Sequence, residues 1–125
     1  MDFLCIQETH MSGQGEIMIQ SLGRQRNKYK MFYSGKMEES FGKNSAGVGI
    51  IVKENLDCTF TSVNDRICFI KCKIKNVNHL IISAYAHTLP NSEKKPEDRA
   101  EFYEKLDSII NYESNSTQIL IGGGI

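Results

Sequence analysis

The residues with the clearest chemical potential lie near the start of the chain, in the segment Cys5-Ile6-Gln7-Glu8-Thr9-His10. An apolar run that starts at Phe3 ends at the Gln7-Glu8 pair, and such a run predicts a strand that carries a carboxylate to the rim of a sheet. Carboxylate oxygens are the ligands that Mg²⁺ takes from proteins. Taken by themselves, these residues leave two interpretations open: a metal ligand at position 8, or an exposed glutamate at a strand end.

A second candidate, Tyr85, follows the apolar run Leu80-Ile81-Ile82-Ser83-Ala84. Because small residues flank Tyr85, its hydroxyl can reach the same rim as Glu8, and we expect the two side chains to converge on one cleft. A strand tyrosine with a packed ring and a solvated hydroxyl is the alternative.

The elements that must position these residues follow from hydrophobic periodicity. Residues that alternate or form short apolar runs predict strands at 3–7, 29–33, 47–52, 58–63, 66–74 and 80–86. Glycine-rich and polar stretches predict loops at 11–28 and 36–46. Phe102, Leu106 and Ile109 recur at helical spacing and predict a helix near 98–111, and Gln118 to Ile121 predicts a further buried strand. This order indicates an α/β fold of the α+β type, with a mostly antiparallel sheet and one main helix.

Composition narrows the class of protein. The 125 residues suffice for one domain, and 40% hydrophobic residues argue against disorder. Lys plus Arg and Asp plus Glu are each 15, so the chain lacks the basic excess of a dedicated nucleic-acid binder. Four cysteines without metal-binding spacing predict reduced, buried thiols, no disulfide, and an intracellular protein, nuclear or cytoplasmic. No stretch is long and apolar enough to predict a membrane span.

The sequence Gln7-Glu8-Thr9-His10 after an apolar strand resembles the second motif of the endonuclease/exonuclease/phosphatase superfamily of Mg²⁺-dependent phosphodiesterases. Three later segments extend the resemblance in the same order, toward endonucleases of LINE-type retrotransposons and craniofacial-development-protein-2-like sequences. They are Ser45 to Val52, Asn64-Asp65-Arg66-Ile67, and Ala84-Tyr85-Ala86-His87-Thr88 with the helix after it. The resemblance implies a partial four-layer α/β sandwich over residues 1–125.

The resemblance also implies roles for particular residues. Glu8 would be the Mg²⁺ ligand, and Tyr85 the catalytic phenol that contacts the phosphate and stabilises developing charge. Gln7 would support substrate binding, and Arg99 could reach a DNA phosphate from the start of the helix, although a solvated surface arginine is the simpler account. The implied reaction is hydrolysis of a DNA phosphodiester, with DNA as the partner.

Departures from the family pattern set further expectations. Relatives carry a metal-site Asn on an earlier strand, an Asp where Gly124 stands here, and a final Asp-His pair. We therefore expect a domain truncated at both ends, inactive as written, and prone to self-association through exposed sheet edges. Two alternatives stay open: a non-catalytic interaction or scaffold module derived from this fold, and a phosphoesterase that acts on small phosphoesters.

Overall fold

A computed structural model of the chain describes residues 3–20, 28–35, 47–86, 96–112 and 118–123. These residues form eight strands and one helix. In chain order the elements are β1 (Phe3–Gln7), β2 (Gln14–Gln20), β3 (Lys28–Ser34), β4 (Val48–Lys53), β5 (Cys58–Ser62), β6 (Ile67–Ile74), β7 (Val77–Ala84), α1 (Pro96–Tyr112) and β8 (Gln118–Gly122).

The strands form two four-stranded sheets. Sheet A has the order β1-β4-β3-β2 and is antiparallel throughout. Sheet B has the order β5-β6-β7-β8, antiparallel except for the parallel pair β7–β8. The predicted α+β class with a mostly antiparallel sheet is therefore confirmed.

The two sheets pack face to face, with one layer of apolar side chains between them. Alternation along each strand sends every second residue into this layer. The buried members are Phe32, Val48, Ile50 and Val52 from sheet A and Cys68, Ile70, Cys72 and Ile81 from sheet B. The ring of Phe32 also stacks on that of Phe60 in β5, with centroids 4.9 Å apart. This layer is the main core of the described residues.

The helix α1 covers the opposite face of sheet B. Phe102 and Leu106 are buried there, and Ile109 is partly buried, as the helical spacing predicts. Their partners include Phe69 on β6 and Ile82 on β7. The described residues therefore form three layers, in the order sheet A, sheet B and α1. This helix does not meet the length and hydropathy needed to cross a membrane, and the described residues contain no other candidate.

One predicted loop is wrong. Residues 14–20 lie within the stretch expected to be loop, yet they form β2, which pairs with β3 from Gln14 opposite Ser34 to Gln20 opposite Lys28. Polar residues and a glycine interrupt the alternating pattern of β2. In that pattern Ile17 and Ile19 lie on the face of sheet A that points away from the core. Because β2 is an edge strand of sheet A, it needs few buried side chains. The loop predicted at 36–46 lies outside the described residues.

Two further expectations are corrected at sheet B. The turn between β6 and β7 is at Lys75 and Asn76, so β7 begins at Val77 rather than Leu80. Both turn residues have positive φ, 51° and 64°, as a type I′ hairpin turn requires. The apolar strand β8 forms as predicted but is not buried: its three large aliphatic side chains are exposed because β8 is at the edge of sheet B.

Candidate functional site at the strand ends

The C-terminal ends of β1, β7 and β8 meet at one rim of the molecule. A hydrogen bond of 3.0 Å from Ser83 Oγ on β7 to the carbonyl oxygen of Ile6 on β1 joins the two sheets there. β8 approaches β1 so closely that a Cβ atom added at Gly122 would lie 2.8 Å from Cβ of Cys5. The fold therefore carries the residues after these three strands to a common place.

Glu8 and Tyr85 are the first residues beyond β1 and β7, and they contact each other. The Tyr85 hydroxyl donates a hydrogen bond of 3.0 Å to Glu8 Oε1 across a sequence separation of 77 residues. The predicted proximity of these two side chains is thus confirmed. Glu8 is exposed and Tyr85 is half-buried, so the carboxylate is open to solvent and to a ligand.

The backbone at Glu8 is in the left-handed region, with φ of 52°. A residue with a Cβ pays about 1–2 kcal/mol to stay there. The next residue anchors this conformation, because the Thr9 N–H donates to the Gly47 carbonyl at 3.2 Å, just before β4. Residues other than glycine in this conformation cluster in tight turns and at functional sites.

Arg66 supplies a cation beside Tyr85, and its role was not predicted from the sequence. Its guanidinium carbon is 5.3 Å from the Tyr85 ring centroid, and Nη1 donates to the Tyr85 carbonyl oxygen at 3.4 Å. The backbones are joined as well, since Tyr85 N–H donates to the Arg66 carbonyl at 2.9 Å. The sequence signal for the placement of Arg66 was Asn64, because asparagine side chains commonly shape turns. In the structure its side-chain oxygen accepts a hydrogen bond of 2.8 Å from the Arg66 N–H.

Gln7 carries the one buried side-chain polar atom without a hydrogen-bond partner among the described residues, its Nε2. This amide faces Gly123, where an added Cβ would lie 3.0 Å from Nε2 and 1.9 Å from the Ala84 carbonyl oxygen. An unpaired buried N–H costs free energy unless an acceptor arrives. An N–H group is a donor, so the Gln7 amide in this orientation supplies no ligand to a metal ion.

The fit to a divalent metal is partial. The described residues contain no group of three or more His, Cys, Asp or Glu side chains placed to bind one ion. Glu8 alone would supply one ligand at this rim. Mg²⁺ tolerates such sites because it keeps several water ligands, but affinity then falls. Gly124 and the side chain of Arg99, a residue of α1, lie outside the described part of the chain.

The four cysteines are free thiols and do not extend the site. Burial raises the pKa of each thiol, most strongly at Cys68 in the core. A raised pKa lowers the thiolate fraction at neutral pH and with it the nucleophilicity. At Cys5, burial outweighs the opposing effect of a backbone hydrogen bond at Gly122. These thiols therefore act as small apolar side chains in the core.

Comparison with known proteins gave no match. A scan against protein-family models, a search of curated proteins and a search of solved structures each found nothing similar to this chain. Any function for the rim must therefore be argued from its own geometry and from the motif resemblance.

Proposed function

We propose that the rim formed by Glu8, Tyr85 and Arg66 binds a phosphodiester of DNA together with one Mg²⁺, as in an endonuclease/exonuclease/phosphatase-type domain. The observation that carries this proposal is the hydrogen bond from Tyr85 to Glu8, which joins the two residues that match the family's metal and phosphate positions. The two four-stranded sheets and their packing are compatible with part of a sandwich of that family.

Each side chain has a defined task in this proposal. Arg66 places positive charge beside the Tyr85 ring, where it would attract a phosphate. Tyr85, which donates to Glu8 in the free protein, would donate to a phosphate oxygen and leave Glu8 to the cation. Gln7 Nε2 is buried against Gly123, so Gln7 would support the rim rather than contact the phosphate itself. A bound Mg²⁺ would neutralise phosphate charge and orient the diester.

The proposal is limited to binding for the 125-residue chain on its own. The motif resemblance gives no residue of this chain the place of the family's Asp-His pair, so we expect no general base for the attacking water. Groups that act as a unit in catalysis lose most of their effect when one is missing. We therefore expect Mg²⁺-dependent binding of DNA with weak affinity and without efficient cleavage.

The test is fluorescence anisotropy of a labelled DNA oligonucleotide at low salt, with and without Mg²⁺. We expect binding that strengthens with Mg²⁺, a loss of about tenfold or more in Glu8→Gln, and a smaller loss in Tyr85→Phe, since Glu8 is the protein ligand of the ion whereas Tyr85 supplies one hydrogen bond. Glu54→Gln is the matched control. Glu54 is also exposed but follows β4 at the opposite end of sheet A, so Glu54→Gln should leave the affinity for DNA unchanged.

Two results would contradict the proposal. Equal losses in Glu8→Gln and Glu54→Gln would show that the chain responds to net charge rather than to the rim. Nicking of supercoiled plasmid that disappears in Glu8→Gln would show that the chain turns over its substrate, against the limit to binding.

The exposed apolar strand β8 favours a second candidate function, an interaction module. The two functions use different parts of the molecule: strand ends for DNA, and a sheet edge for a protein partner.

A further inference from the structure

The strand β8 presents an uncharged apolar edge. Ile119, Leu120 and Ile121 expose 37%, 37% and 43% of their surface, although they are consecutive residues of one strand. Among the described residues β8 pairs with β7 on one side and with no strand on the other. A strand that is apolar on both faces is typical of a sheet interior. An unpaired edge of this kind is a template for a strand of another chain.

The other three sheet edges are less suited to pairing. β2 exposes Ile17 and Met18, at 42% and 56%, but carries the charged Glu16 directly before them, and β5 carries Thr59 and Thr61. β1 is apolar, but Leu4 is its only large aliphatic side chain that is strongly exposed. Charged and polar residues are how proteins protect sheet edges, and β8 has neither in its central three positions.

We propose that two copies of this chain pair through β8, edge to edge and antiparallel, to form one continuous sheet. The partner is a second copy because the exposed segment Ile119-Leu120-Ile121 reads the same in both directions and is therefore complementary to itself in an antiparallel pairing. A two-fold axis through Leu120 then matches the strand with itself over its whole length. Because the formal net charge is zero, overall charge repulsion between two copies does not oppose this association.

The register of this pairing follows from the faces of β8. Ile119 and Ile121 are in register with Leu80 and Ile82, so they lie on the α1 face of sheet B. A two-fold axis perpendicular to the sheet keeps this face the same in both copies. Ile119 of one copy then lies opposite Ile121 of the second copy, and the reverse pair forms across the axis. Leu120 meets its own equivalent on the other face.

The first experiment measures the mass of the full 125-residue chain by sedimentation equilibrium over a concentration series. The expected result is an association to twice the chain mass of 14.2 kDa. Ile119→Lys combined with Ile121→Lys places like charges opposite each other twice and should give monomer. Leu4→Lys combined with Ile17→Lys is the matched control, since these side chains are exposed to a similar extent, 43% and 42%, on the outer face of sheet A.

The second experiment tests the register. Ile119→Lys combined with Ile121→Glu adds charge at the same two positions, but antiparallel pairing about Leu120 now places each lysine opposite a glutamate of the second copy. The dimer should return at low salt and weaken as salt is added. Circular dichroism of each variant shows whether the fold is kept, and only folded variants are compared.

Four outcomes would overturn the proposal. They are a monomeric wild type, a wild type that forms only open-ended aggregates, a dimer that is lost in the Leu4/Ile17 control instead, and a mixed-charge variant as monomeric as the double-lysine variant. Dimerisation of the wild type and of the mixed-charge variant, with a monomeric double-lysine variant, would support it. Whether the chain dimerises through β8 does not depend on whether the rim binds DNA.

Discussion

Among the described residues, two regions hold residues other than glycine in the left-handed backbone conformation, and they do so for different reasons. At one end of sheet B, Lys75 and Asn76 have φ of 51° and 64°; at the opposite rim, Glu8 and His10 have φ of 52° and 57°. The first pair forms the two-residue turn of the β6–β7 hairpin, and that turn requires positive φ at both positions. The hairpin turn therefore accounts for the positive φ values of Lys75 and Asn76.

No hairpin turn explains the backbone at the rim. Glu8 leaves β1 and is not followed at once by a paired strand, since β2 begins at Gln14. Its conformation instead accompanies a contact with Tyr85, which lies 77 residues away in the sequence. Equal backbone strain therefore has a local cause at Lys75 and a tertiary cause at Glu8. The second kind is the one that points to function.

The largest expected effect is at the rim glycine Gly123, in the variant Gly123→Ala. Its φ of 129° disfavours any side chain, and an added Cβ would lie 1.9 Å from the Ala84 carbonyl oxygen, so the end of β8 must move. We expect a loss of about 3 kcal/mol or more in the free energy of unfolding, measured by urea denaturation.

Gly13→Ala is the matched control for this substitution. Gly13 also has positive φ, 74°, but an added Cβ would meet nothing within 4 Å. Only the backbone conformation is then penalised, at about 1–2 kcal/mol. Equal losses in the two variants would show that the rim is not packed as tightly as the three converging strands imply.

A smaller effect is expected when Glu8 and Lys75 are each replaced by glycine. Their φ values differ by one degree, so Glu8→Gly and Lys75→Gly relieve the same backbone strain. After the entropy cost of glycine in the unfolded chain, each should gain about 0.5 kcal/mol from this relief. Glu8→Gly also loses the hydrogen bond with Tyr85 and should lose Mg²⁺-dependent DNA binding, whereas Lys75→Gly should keep it.

Urea denaturation and the anisotropy assay together decide this prediction. Loss of DNA binding in both variants, or in neither, would show that the two regions do not differ in their role in DNA binding. Binding retained in Lys75→Gly alone would support a role in DNA binding for the Glu8 region only.

Much of the fold could be predicted because its elements carry strong local patterns. Alternation in β6, apolar runs in β1 and β4, and helical spacing from Phe102 to Ile109 each identify an element whose side chains enter a core. β2 was missed because an edge strand leaves most of its side chains in solvent. β8 was identified, but its exposure depends on whether another strand lies beside it, and no local pattern carries that information.

The candidate site likewise has one part that could be predicted from the sequence and one part that could not. Glu8 and Tyr85 could be placed together because both follow apolar strands, and strand ends meet at sheet rims. The stacking of Arg66 on Tyr85 and the unpaired amide of Gln7 depend on side-chain positions that only the packed sheets determine. The roles of Mg²⁺, DNA and Arg99 stay predictions from the motif resemblance.

We propose that Glu8 binds a divalent cation next to the Tyr85 hydroxyl. Titration with Mn²⁺, followed by NMR line broadening of the backbone amides, tests it most directly, because broadening falls off steeply with distance from the ion. We predict that the amides of Glu8 and Tyr85 broaden first, that Glu8→Gln abolishes this response, and that Glu54→Gln leaves it unchanged. Broadening centred elsewhere in the chain, or unaltered at the rim in Glu8→Gln, would contradict the account.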